Sequence, residues 1–201
     1  MNAPIIVIAT HNPGKLREIG ELLEPLSFSV TGAAELGLPE PEETGSSFAE
    51  NAAIKSEAAA TATGLIALAD DSGLVVQALD GAPGVHSARW AGPERDFCRA
   101  MKRVERELKQ SRTTDYSAKF VCALALTRPG KGTKVFEGEV SGTLIFPPRG
   151  TEGFGYDPIF IAEGMTQTFG EIQPRRKHEI SHRARAFAKL IGFLERESTP
   201  A

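Results

Sequence analysis

The sequence predicts an α/β protein with a mixed sheet flanked by helices, and three observations carry that reading. Residues 5–9, Ile5-Ile6-Val7-Ile8-Ala9, form an apolar, β-branched run that passes through a tight polar turn into a helical pattern. Strand and helix patterns then alternate, as they do where parallel strands are joined by crossovers. Residues 116–127 and 134–145 are two long strand patterns joined by Pro129-Gly130-Lys131-Gly132, a hairpin composition that adds antiparallel pairing. The 201 residues suffice for one domain over residues 1–201, with two small lobes as an allowed subdivision.

The elements follow in order. Leu16, Ile19, Leu22 and Leu23 recur at helical spacing, with Asn12 as N-cap, Pro13 at the first helical position and Pro25 as the stop. Residues 26–45 are loop-rich and hold the acidic run Glu40-Pro41-Glu42-Glu43. Ser47 and Glu50 have capping-box spacing and open an alanine-rich helix that ends at Gly64. Residues 65–69 read as a short buried strand ending in Asp70-Asp71-Ser72-Gly73. Residues 74–79 read as a second strand, closed by the turn Asp80-Gly81-Ala82-Pro83-Gly84. Phe97, Ala100, Met101, Val104 and Leu108 trace the next helix. After the hairpin, residues 147–157 form a Pro/Gly-rich loop and residues 158–161 a short strand. The last helix starts near Ser181 and packs Phe187, Leu190, Ile191 and Leu194.

Bulk properties exclude several classes. Apolar residues make up 41% and charged residues 24%, a globular mixture rather than a disordered one. The net charge of −3 and the lack of a long basic run disfavour a nucleic-acid backbone binder, although a local basic cluster can still hold a small anion. No apolar stretch approaches the roughly 20 residues that cross a bilayer, so no membrane partner is expected. Met1-Asn2-Ala3-Pro4 lacks the basic start of a signal peptide. Cys98 and Cys122 each sit in an apolar pattern and read as buried thiols, which fits a reducing, cytoplasmic compartment.

Four groups of residues can carry chemistry. Thr10-His11-Asn12-Pro13-Gly14-Lys15 joins a strand to a helix N-terminus, where free N–H groups and the dipole favour an anion; with the Thr10 hydroxyl and the Lys15 ammonium it reads as a phosphate cradle, or equally as an ordinary βα turn. Asp70 and Asp71 at a strand end suggest Mg²⁺, which takes hard oxygen ligands and bridges to phosphates; an Asx turn is the alternative. Glu42-Glu43 offers a further ligand or a solvated loop. In Gly153-Phe154-Gly155-Tyr156-Asp157-Pro158 the glycines bare an aromatic face on which a purine can stack, with Asp157 as an acceptor for a base N–H; a turn anchored by a core Phe has equal weight. Lys177, His182 and Arg183 gather at the start of the last helix, where cations oppose the dipole unless an anion or a carbonyl-rich base docks there. Asn51 and Lys55, four apart on the alanine-rich helix, read as a solvent-facing stripe.

Taken in order, these motifs resemble the inosine triphosphate pyrophosphatase family, which clears dITP, ITP and XTP. The resemblance runs from about Ile6 to Leu194. Its carriers are the Thr10–Lys15 turn, Glu42-Glu43-Thr44-Gly45, Phe48-Ala49-Glu50-Asn51-Ala52, Asp70-Asp71-Ser72-Gly73-Leu74, Gly81-Ala82-Pro83-Gly84, Ser87-Ala88-Arg89, Gly153 through Pro158, and Ser181-His182-Arg183. It implies an elongated mixed sheet with two lobes and a central substrate cleft, built into a homodimer. It further implies that Thr10, Asn12 and Lys15, within the turn that also contains His11, Pro13 and Gly14, hold the triphosphate, and that Ser72 touches it. Asp71 is implied as general base and Mg²⁺ contact, Glu42 as the second metal carboxylate, and Asp70 or Glu43 as support. Phe154 stacks on the base, Gly155, Tyr156 and Asp157 complete that pocket, and Lys177, His182 and Arg183 read the purine edge. Trp90 and Arg99 depart from the family's more usual Tyr and Asn. The implied reaction cleaves between the α and β phosphates to a monophosphate and pyrophosphate. A related Maf-type pyrophosphatase is opposed by the motifs at Phe154–Asp157 and Ser181–Arg183. A non-catalytic nucleotide-binding module is opposed by the intact Asp70, Asp71 and Glu42, and a Walker-type kinase by the incomplete glycine loop.

Overall fold

A computed structural model describes residues 4–24 and 28–198. β1 (Ile5–Ile8) leads into α1 (Pro13–Leu23), β2 (Ser29–Gly32), α2 (Phe48–Thr63) and β3 (Ile66–Val76). The short α3 (Ser87–Trp90) and then α4 (Phe97–Ser111) precede β4 (Ser117–Arg128) and β5 (Gly132–Leu144). β6 (Phe160–Ala162), α5 (Pro174–Ile180) and α6 (His182–Ser198) complete the chain. The strands hydrogen-bond in the order β2-β1-β3-β4-β5-β6. β1 is parallel to β2 and to β3, while β5 is antiparallel to β6. The three residues between β4 and β5 are too few for a crossover, so that pair is the expected hairpin. The sheet is mixed and flanked by helices, as the sequence predicts.

The chain divides into two compact units, one of Met1–Asp71, Ala123–Glu137 and Ala186–Ala201, the other of Ser72–Cys122 and Gly138–Arg185. In the first, alanines of α2 meet small residues of the strands: Ala59 and Ala60 pack with Val7, Ala9, Ala67 and Ala69, and Ala52 packs with Ala123 and Ala125. Small side chains on both surfaces let the helix backbone approach the sheet closely. That approach buries polar neighbours on the same helix, among them Asn51 and Lys55. These two therefore do not form the solvent-facing stripe expected from the sequence. The helix is closed as predicted, with Ser47 accepting the Glu50 N–H and Gly64 in the left-handed conformation at φ 67°. In the second unit the apolar stripe of α4 (Ala100, Met101, Val104, Leu108) packs with Leu74, Val76, Val140 and Leu144. Phe120, Phe160 and Phe169 form an aromatic cluster in the same core.

Four local readings change. Asp70-Asp71-Ser72-Gly73 is not a turn between two strands; it lies inside the single strand β3. Two mid-strand carboxylates are tolerated because each meets a lysine, as described below. Cys98 is exposed and only Cys122 is buried, because Cys98 lies off the apolar stripe of α4. The final helical region is two helices, so Lys177 belongs to α5, while Ser181 accepts the Ala184 N–H and caps α6. The strand expected over residues 158–161 begins instead at Phe160, after a 3₁₀ turn over Asp157–Ile159. The predicted stop at Pro25 lies outside the described residues.

Gly73 is fixed by close packing. The Leu74 N–H donates to Ser87 Oγ at 3.0 Å, and that hydroxyl donates to Gly84 O at 2.7 Å. A Cβ on Gly73 would stand 2.4 Å from Ser87 Oγ and 2.7 Å from Gly84 O. Gly73→Ala is therefore expected to cost about 1–3 kcal/mol of stability, read as a lower urea midpoint at unchanged slope. A midpoint equal to that of the parent would show that the Ser87 segment yields freely.

Candidate active site

In the first unit, β3 carries Asp70 and Asp71, and two helices bring lysines to them. Lys15 of α1 lies 3.0 Å from Asp70 Oδ2. Lys55 of α2 donates to Asp71 Oδ1 at 3.2 Å and to Glu43 Oε1 at 2.6 Å. Asn51 Nδ2 donates to the other Asp71 oxygen at 3.4 Å, while its Oδ1 accepts the Gly45 N–H at 2.8 Å. Asn51 thus ties the acidic loop to the strand carboxylate. Gly45 is needed for this, because a Cβ there would stand 2.6 Å from Asn51 Oδ1.

The electrostatics follow from burial. Desolvation pushes the Asp71 carboxyl above the ordinary aspartate range; Glu43 and Asp70 push the same way, and Lys55 and Lys15 offset them only in part. For Lys55, burial pulls the ammonium down, but Asp71, Asp70 and Glu43 outweigh it and raise its pKa above the usual lysine value. The result is a carboxylate of increased basicity with both oxygens oriented, beside a lysine held firmly charged.

The N-terminal turn is arranged differently from an open anion cradle. Asn12 caps α1 as predicted, its Oδ1 accepting the N–H groups of Gly14 at 2.9 Å and Lys15 at 3.3 Å. The Asn12 N–H is taken by Thr10 Oγ, and His11 Nε2 donates to Leu38 O at 3.0 Å. These helix-end donors serve the cap, which leaves the Lys15 ammonium and the hydroxyl of Thr10 as the groups suited to a phosphate. Pro13 opens the helix at its first position. Glu42 is exposed, whereas Glu43 is the neighbour that reaches Lys55. Among the described residues, no three His, Cys, Asp or Glu side chains form a ready metal cluster.

In the second unit, Lys177, buried on α5, donates to Asp157 Oδ2 at 2.6 Å. The same oxygen accepts the Phe154 N–H at 2.8 Å, so Asp157 braces the aromatic loop. Gly153, at φ 72°, permits the tight turn, and a Cβ there would stand 2.1 Å from Asp157 Oδ2. The Phe154 ring is half-buried, with Lys177 Nζ 4.6 Å and Arg183 Cζ 5.7 Å from its centroid. Gly155 turns the chain at φ 71°. Tyr156 sits in the core: its hydroxyl donates to Ser87 O at 2.9 Å, Phe97 meets its ring edge-on, and burial holds the phenol well above its usual range. His182 stacks on Phe120 at 4.9 Å, and the buried Arg183 donates from Nη2 to Ser72 Oγ at 3.2 Å. Phe154, Asp157, Lys177 and Arg183 are thus brought together, with Ser72 joined to them through Arg183.

Sequence reading took Asn51 and Lys55 for a solvent-facing stripe and Glu43 for a supporting carboxylate, and it did not join the three to Asp71. The available signal was two polar residues one turn apart on a helix whose other positions are alanine: a helix that small can bury both faces.

Comparison with known proteins places the chain. The model of the Ham1 family matches residues 6–193. The chain belongs to the Ham1 family. This Ham1-family chain is 58% identical to a protein of Caulobacter vibrioides named dITP/XTP pyrophosphatase, over 94% of this chain and 97% of that one. It is also 58% identical to a protein of the same name from Rhodospirillum centenum, with 92% of each covered. Among solved structures, a HAM1 protein from Coxiella burnetii superposes with a TM-score of 0.89 at 41% identity, covering 96% of this chain and 99% of that chain. The Staphylococcus aureus Ham1 protein superposes with a TM-score of 0.87 at 42% identity, covering 96% and 100%.

Proposed function

We propose that this Ham1-family chain hydrolyses non-standard purine nucleoside triphosphates (dITP, ITP and XTP) to the monophosphate and pyrophosphate. The observation that carries the reading is Asp71: a buried carboxylate of raised pKa, oriented by Lys55 and Asn51, on the strand next to Ser72. Relatives with 52–58% identity bear the name dITP/XTP pyrophosphatase, which fits that chemistry.

Asp71 accepts a proton from the water that attacks the α phosphorus. An ordinary aspartate is a weak base at neutral pH, and burial narrows the gap. Lys55 keeps Asp71 in place, and its charge limits how far that pKa rises. Lys15 and Thr10 hold the triphosphate, with the Asn12 cap fixing the turn that presents them. Phe154 stacks on the purine. Arg183 and Lys177 supply donors suited to the 6-keto oxygen of hypoxanthine and xanthine, whereas adenine presents an amino group that leaves such a donor unpaired. His182, Tyr156, Gly155 and Asp157 shape the base pocket from behind.

A divalent metal fits this donor set. Mg²⁺ commonly binds one or two protein carboxylates and completes its shell with water and substrate phosphates, so a full protein cage is not required. Asp71 would hold it, with Glu42 as the second carboxylate and Glu43 or Asp70 in support. When bound, the ion neutralises charge on the phosphates and the leaving pyrophosphate. The chain works as one catalytic domain, in a homodimer, in the cytoplasm. The family resemblance and two cysteines that form no disulfide support this setting.

The test is product analysis with Mg²⁺ on ITP, XTP and ATP. Monophosphate plus pyrophosphate is expected from ITP and XTP, with ATP a poor substrate; orthophosphate plus a diphosphate as first products refutes the reading. Arg183→Ala and Arg183→Lys should lower kcat/KM for ITP and XTP and hardly touch ATP, narrowing the gap. Equal losses on all three substrates would remove Arg183 from base selection.

A further inference from the structure

α3 and the exposed face of α4 enclose a groove of about 510 Å³ within the second unit, lined by Arg89, Trp90, Asp96, Cys98, Arg99, Lys102, Arg103 and Arg106. No residue of the proposed reaction lines it. Arg99, Lys102, Arg103 and Arg106 follow at i, i+3, i+4 and i+7, so they share one helix face and repel one another. Arg89 adds a fifth cation, in a chain whose net charge is −3.

Two of the carboxylates nearby are already engaged. Asp96 spends its Oδ1 on the Arg99 N–H as the cap of α4. Glu107 is shared by Arg103 at 2.8 Å and Arg106 at 3.9 Å. Among the described residues, neither Arg99 nor Lys102 has a carboxylate within ion-pair distance. The Arg103 guanidinium lies 3.8 Å from the centroid of the Trp90 ring, which holds one fork in place.

We propose that this groove is a second anion site, one that binds a compact polyphosphate chain. Arg99 and Lys102, which have no carboxylate of their own, converge with Arg103 and Arg106, which share a single one, so this face suits a ligand carrying several negative charges in a short span, and guanidinium forks match phosphate oxygens. The volume suits a small molecule, and the overall negative charge opposes an extended nucleic-acid backbone. Inorganic polyphosphate and the triphosphate tail of a nucleotide share this chemistry.

Trp90 is the chain's single tryptophan, so its fluorescence reports on the groove directly. The full-length protein, in low-salt buffer with a chelator, is titrated with sodium tripolyphosphate and separately with ATP. A saturable change is expected, with an apparent Kd that rises at least tenfold in Arg99→Ser/Arg106→Ser and is unchanged in Lys15→Ala. Equal affinity for both probes assigns the site to triphosphate tails, and a response to tripolyphosphate alone assigns it to inorganic chains. Three results overturn the proposal: a change reproduced by sodium chloride at equal ionic strength, no loss in the double arginine variant, or disappearance of the signal in Lys15→Ala. A single-stranded oligonucleotide that binds more than tenfold tighter than tripolyphosphate also overturns it, in favour of nucleic acid.

Discussion

Asp71→Asn is expected to lose at least ~10²–10⁴-fold in kcat, the usual worth of a general base, while the protein remains folded and slightly firmer. The two effects share one cause. Burial raises the Asp71 pKa, so the folded state holds its proton more tightly than the unfolded chain does. Stability therefore falls as pH rises from about 4 through the raised folded value, and the cost is fully present above it. Asparagine keeps the shape, lacks the charge and escapes that cost. Lys55 retains Glu43 and Asp70 as carboxylate neighbours. Thermal melts of the metal-free protein should give a Tm for Asp71→Asn equal to or above the parent at pH 8, with the two converging near pH 4. A catalytic site that costs stability is the trade-off expected where function sets the residue. Near-normal turnover, or a Tm well below the parent at pH 8, would show Asp71 to be a structural residue.

Lys55→Met carries the larger stability effect. The methionine keeps most of the apolar stem and removes the charge that Asp71, Glu43 and Asp70 surround. Buried carboxylates that lose their cation typically cost about 3–5 kcal/mol. The pH dependence has a definite sign. The Lys55 pKa is raised in the folded state, so its contribution is complete below the unfolded value near 10.5 and is lost as pH rises through the folded value. Toward low pH the deficit of the variant must also shrink, because Asp71, already shifted upward, takes a proton and relieves the uncompensated charge. Urea denaturation of parent and variant at pH 5, 7 and 9 measures this, and the difference should be smallest at pH 5. A deficit that is the same at all three values would mean that Lys55 contributes packing alone. Activity should fall with it, since Asp71 loses the donor that fixes one of its oxygens.

The legible parts of this protein were the local ones. Asn12, Ser47 and Gly64 act where their chemistry placed them, because capping depends only on backbone groups a few residues away. The alternation of elements and the short Pro129-Gly130-Lys131-Gly132 link between two long strand patterns were enough for a mixed sheet, since a link that short does not allow a crossover. The ordered series of short motifs was enough for the family, because so many matches in register do not arise from composition.

What only the tertiary structure decided are the partnerships between distant residues. Asp70-Asp71-Ser72-Gly73 carries the composition of a turn and lies within a strand, because lysines from α1 and α2 compensate its carboxylates and the Ser87 loop closes over Gly73. Lys55 and Asn51 looked like a solvated stripe and are buried, because alanines on both packing surfaces draw α2 against the sheet. Asp157 suggested an acceptor for substrate, and the folded chain adds a second task that its sequence does not show: its Oδ2 accepts from the Phe154 N–H and from Lys177 and so braces the aromatic loop. In each case the deciding interaction joins residues whose separation in sequence says nothing of their separation in space. Charge, hydrogen bonding and close packing act over a few ångströms, and only the folded chain sets which groups come within that range.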